Sequence, residues 1–217
     1  MKIEVMIPSF IVALIIFVAL IFIGKANYSE VTKDKFKLLS MFPYEMQNNT
    51  KAKYNWPVRV VALCFALAMS LFAINAFSMG FPSVLSAAVA AMIINAIVMM
   101  LLFFVDMRRA FLHVALAVLQ FCLTFLSYAF VANYVFFVKS NEYPLVLGII
   151  CLVILVVIIL LMTNPKLFRW MYLEKVEENG EIVLKRPKVM VLPTYEWLFM
   201  GLSILLDFLI TIVTLFL

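Results

Sequence analysis

Two rows of polar residues run through stretches of the chain that are otherwise apolar. Along 110–138, His113, Gln120, Thr124, Ser127 and Tyr134 recur at intervals of three, four and seven; along 196–217, Ser203, Asp207, Thr211 and Thr214 recur at three and four. At 3.6 residues per turn each set falls on one face of a helix. Asn95 belongs to a third face, in line with Ser83, Ala87 and Ala91. Serine and threonine there need no special explanation, because each can bond a carbonyl of its own helix, and interhelical hydrogen bonds in membranes contribute about 0.6 kcal/mol on average. Asp207 differs. A carboxylate at the centre of a spanning helix costs about 3 kcal/mol on insertion scales, so it must keep a proton or find a partner, water or an ion. Two roles follow for it, a neutral hydrogen-bond donor within the structure or a proton or cation site. Asp207, Gln120, Asn95, His113, Ser203 and Thr211 form the candidate intramembrane cluster, which would serve either a proton or cation or a partner helix. His113, nearer one end of its segment, is expected to be structural.

The remaining chemistry is sparse. A single histidine excludes zinc motifs of the HExxH type within this chain. The sequence contains no phosphate-binding P-loop, no Gly-rich dinucleotide turn and no nucleophile elbow. Cys64, Cys122 and Cys151 lie in three different segments without metal-ligand or disulfide spacing, and read as small apolar fillers. No metal site and no cofactor is expected. A lipid-modifying enzyme would have to rest on His113 and Asp106 alone.

The elements that hold these residues follow from hydropathy. Of 217 residues 67% are hydrophobic and 13% charged, far from the soluble average of about a quarter charged. Six apolar segments, roughly 6–24, 57–79, 84–105, 110–138, 144–163 and 196–217, are each long enough to cross a hydrocarbon layer about 30 Å thick. The expected fold is all-α, a single integral-membrane domain over 1–217. Fifteen of the seventeen Lys and Arg residues fall in alternate connections, around 25–59, 108–109 and 166–188, leaving Lys2 and Lys139 on the other side. The positive-inside rule makes loops 25–56 and 164–195 cytoplasmic and both termini external. Lys33, Lys35, Lys37, Arg108 and Arg109 are candidate membrane-surface residues facing anionic lipid. The net charge of +5 is thereby explained without nucleic acid. The first segment is expected to be an uncleaved helix, since cleavage near Gly24 would translocate the Lys-rich loop. Short tails suggest a bacterial plasma membrane.

Three further features are expected. Residues 29–42, with Val31, Leu38, Leu39 and Phe42 on one face, suggest an amphipathic helix in the interface plane. Asn179-Gly180 between Arg169–Glu177 and Ile182–Lys188 suggests a small cytoplasmic hairpin pairing Glu174 with Lys185 and Val176 with Val183. Small residues Ala62, Ala66 and Ser70 facing Ser83, Ala87 and Ala91 make the second and third helices close antiparallel neighbours. The functional expectation is a non-enzymatic accessory or assembly subunit bound to other membrane subunits; the alternative is a small-solute or ion transporter or channel built around Asp207. The topology has a direct test. In a background without native cysteines, a cysteine at Ser140 should be labelled from outside the cell, whereas cysteines at Lys53 and Asn179 should be spared. Strong external labelling at Asn179 would invert the orientation.

Overall fold

The computed structural model describes residues 3–47, 55–78, 80, 82–105, 107–138, 145–169, 173–178 and 181–215. Six helices are long and apolar enough to cross a membrane: α1 Ile3–Thr32, α2 Trp56–Phe77, α3 Ser83–Phe104, α4 Ala110–Asn133, α5 Leu145–Met162 and α6 Val191–Leu215. Helix α4 continues into a π-helical turn, Tyr134–Val138. Neighbours in sequence pack as neighbours in space from α1 to α5, and α6 closes the bundle by lying against α1, α4 and α2. As expected, α2 and α3 pack directly on each other; of the small residues Ala62, Ala66 and Ala91 are buried, Ser70 and Ala87 half-buried and Ser83 exposed. Phe65, Phe72, Phe103, Phe121, Phe199 and Tyr128 fill the core with less than 2% of their surface exposed. Helices α1 and α5 instead turn rows of Ile, Val, Leu and Phe outward, among them Ile15, Phe22, Val146, Val153 and Leu160.

Two helices extend beyond their apolar segments. α1 runs two turns past Gly24, because its outward hydropathy ends there but its packing does not: Asn27 is buried and donates to Met46 O at 2.9 Å. It ends where Lys33 adopts φ 63°, a left-handed residue that lets its N–H reach Ser29 O at 3.0 Å. α6 begins at Val191, about a turn and a half before the expected start. Pro193 sits in its first turn, where a missing N–H does no harm.

The amphipathic helix expected over 29–42 is not formed. Beyond Lys33 the chain turns back under the bundle and makes a short 3₁₀ turn, Pro43–Gln47. Phe36 and Phe42 are buried, whereas Leu39, assigned to the apolar face, is exposed. The backbone groups a helix would have paired internally are paired to other elements. Leu39 O accepts from Met190 N (2.7 Å) and Thr194 Oγ1 (2.9 Å), and Met41 O accepts from Trp197 Nε1 (3.0 Å). Arg186 fixes this strap by reaching both carboxylate oxygens of Glu45 at 2.8 Å, while Glu45 Oε2 accepts from Phe42 N at 2.7 Å.

The hairpin forms in the expected register. Strands β1 Glu174–Glu178 and β2 Glu181–Lys185 are antiparallel, with Glu174 opposite Lys185 and Val176 opposite Val183. The Asn179-Gly180 turn lies outside the described residues, as does Asp106.

The strap gives a test of packing. Met46, 1% exposed, rests directly on the bare backbone of Gly24, where a Cβ would overlap its sulfur. Gly24→Val should therefore unseat Met46 and lower stability by about 1–3 kcal/mol, the usual cost of overpacking. Equilibrium unfolding in detergent measures this; an unchanged midpoint would mean that the strap is not packed on α1.

Candidate intramembrane polar site

At the midpoints of α3, α4 and α6 the three polar faces meet. Asn95 donates both amide hydrogens, to Ser203 Oγ at 2.9 Å and to Thr124 Oγ1 at 3.2 Å. Each hydroxyl in turn donates down its own helix, Thr124 to Gln120 O and Ser203 to Phe199 O, both at 2.9 Å. The directions are consistent, because a hydroxyl that gives its hydrogen to a carbonyl keeps lone pairs for the amide. Ser127 bonds Leu123 O at 2.8 Å, and Thr211 bonds Asp207 O at 2.8 Å, each within its own helix. Tyr128, which the polar pattern did not select, donates to Leu202 O at 2.7 Å and ties α4 to α6.

A second junction lies at the basic end. His113, fully buried in the first turn of α4, places Nδ1 2.6 Å from Val105 O and Nε2 2.9 Å from Glu196 Oε1. Val105 terminates α3, and its carbonyl is one of those a helix end leaves unpaired. Phe103 O, another, accepts from Gln47 Nε2 at 2.6 Å, and Gln47 Oε1 accepts from Arg59 at 3.1 Å. The rings of Phe42 and Tyr44 stand edge-on to the imidazole at 5.2 and 5.3 Å.

Glu196, fully buried, is the principal residue that the sequence reading missed. A signal was present: Glu196 precedes Ser203 by seven residues and so extends the face of Ser203, Asp207, Thr211 and Thr214. The apolar segment 196–217 begins at that residue, so hydropathy alone places Glu196 at the membrane boundary. With α6 starting at Val191, Glu196 lies inside the helix.

The structure therefore brings Asn95, Ser203 and Thr124 into one knot, and joins His113 to Glu196 instead. Gln120 and Asp207 are fully buried, each one turn along its helix from Thr124 and Ser203, and Thr211 lies one turn beyond Asp207. Asp207 sits about 6 Å past the midpoint of α6 and about 16 Å along the axis from Glu196. Lys33, Lys35, Lys37, Arg108 and Arg109 are all exposed.

The seam is unevenly satisfied. Among the described residues Asn95 Oδ1, Gln120 Oε1 and Nε2, Glu196 Oε2 and both oxygens of Asp207 are buried without a hydrogen-bond partner. Five of these six atoms are oxygens. No group of three His, Cys, Asp or Glu among the described residues is arranged to hold a metal ion. The three cysteines are free. Compared with protein-family models, curated proteins and solved structures, the chain matches none.

The two junctions should differ sharply on substitution. Asn95→Leu leaves Thr124 and Ser203 bonded to their own helices and removes an oxygen that already lacks a partner, so its cost should stay within about 1 kcal/mol. His113→Leu strands both Val105 O and Glu196, and should cost about 3–5 kcal/mol, the range for a buried pair that loses one member. Unfolding in mixed detergent measures both; equal costs would refute this division.

Proposed function

We propose that the chain is a non-enzymatic membrane transporter or channel that passes protons or a small cation along the seam between α3, α4 and α6. One observation carries the reading, the run of buried side-chain oxygens without a partner among the described residues at Asn95, Gln120, Glu196 and Asp207. Polar atoms held away from water without partners are costly, and oxygens grouped in this way are relieved by a positive or protonated guest. Asp207 is the central binding group, with Gln120 and Asn95 supplying neutral oxygens nearer the basic end. On the charge rule the basic loops face the cytoplasm and the termini face outside, so Glu196 and His113 mark the inner end of the route. Exposed basic residues at that end would meet anionic lipid headgroups.

An accessory or assembly subunit is the second reading, favoured by the hairpin. It lies outside the spanning helices yet exposes Ile182 and Leu184 by 72% and 58%, an apolar surface another subunit could cover. Weighing against it, the polar faces expected to meet a partner helix are turned inward, with Asp207 fully buried.

Purified protein in vesicles, with an enclosed pH dye and an imposed ion gradient, tests the choice. The wild-type chain should carry proton or cation flux, and Asp207→Asn, which keeps shape and hydrogen-bonding capacity, should abolish it while folding and insertion persist. Asp207→Leu should abolish flux too. Full flux in both variants, or none in the wild type, overturns the transport reading; a stoichiometric partner recovered in mild detergent would then favour the subunit.

A further inference from the structure

The His113–Glu196 junction is more than a helix tie. A carbonyl oxygen can only accept, so the 2.6 Å contact to Val105 O fixes a hydrogen on Nδ1 of His113. The 2.9 Å contact from Nε2 to Glu196 Oε1 then requires one hydrogen between them. With none, a lone pair would face a carboxylate; with two, both atoms would be donors pointed at each other. Whether that proton rests on nitrogen or oxygen, the pair is neutral as a whole, which suits its complete burial. A carboxyl group has a second oxygen, and Glu196 Oε2 is buried with no partner among the described residues. Oε2 is thus the atom at which a proton can be taken up and given back, the shared hydrogen shifting between Oε1 and Nε2 as it does, with no bond changed except O–H and N–H. The titratable or charged groups near the pair are Tyr44, edge-on to the imidazole, and Glu45, which is bound to Arg186. The strap that carries Tyr44 and Glu45 shields the pair from the basic end.

We propose that His113 and Glu196 form a single-proton binding site at the inner end of the seam, shut off from solution by the strap over residues 38–47. The proposal rests on the transport reading in taking the seam as a route, and it names the group that would exchange protons there.

The chain has one histidine, so ¹⁵N-histidine labelling reports on this site alone. In bilayers the wild-type ring should show a hydrogen on Nδ1 and a strongly hydrogen-bonded Nε2. Neither shift should move between about pH 5 and 8, where a free histidine titrates. Glu196→Gln removes the shared proton: its carboxamide donates to Nε2, and that signal should shift to that of a plain acceptor nitrogen. Arg186→Gln releases Glu45 and should make the histidine signals of that variant pH-dependent. Free titration of the wild-type ring overturns the proposal, as does a spectrum indifferent to both substitutions. Asp207→Asn should leave the spectrum unchanged, so a failure of the transport reading in the flux assay is distinguishable from a failure here.

Discussion

Val105 ends α3 with a carbonyl that its own helix cannot pair, at the partly buried basic end of the bundle. In a membrane protein that deficit must be met by the chain, because lipid offers no hydrogen bonds. His113 meets it with one ring nitrogen and binds Glu196 with the other, so three helices are joined through one imidazole. The same requirement explains the rest of that end. Gln47 reaches Phe103 O, Asn27 reaches Met46 O and Trp197 reaches Met41 O. A strap of irregular backbone is tolerated at the bundle end because every one of these groups finds a partner in a different element.

This arrangement divides the molecule into an end where helix-terminal carbonyls are paired, with Glu196 Oε2 left over, and an interior with more unpaired polar atoms. The contacts at the basic end tie together the C-terminal ends of α1 and α3 and the N-terminal ends of α2, α4 and α6. Midway along, Asn95, Thr124 and Ser203 use their hydrogens well but leave an oxygen over. Beyond them Asp207 has its backbone carbonyl bonded to Thr211 and its carboxyl bonded to nothing among the described residues. A bundle built for stability alone gains little from such groups, since apolar side chains of similar size would pack there without deficit. That asymmetry is the physical ground for treating the interior as a site.

The polar periodicity of α4 and α6 was sufficient to identify the inward faces, because a residue costly in lipid turns away from it whatever the neighbouring helices are. Likewise the hairpin register followed from local rules, with the pairing of Glu174 and Lys185 set by the two residues between the strands. The segment after α1 did not follow its own pattern. Its apolar residues had the spacing of an interfacial helix, yet Phe36 and Phe42 found better burial in the gap beneath the bundle than at a lipid surface.

What the sequence determined by itself was the six helices and which of their faces are polar, since both depend on hydropathy and period along a single segment. Only the tertiary structure decided which polar residues meet. That Asn95 bonds Ser203 across 108 positions and His113 bonds Glu196 across 83 depends on how α3, α4 and α6 are rotated and staggered against one another. Rotation and stagger are set by the summed packing of all six helices and the strap, a property that no one segment carries.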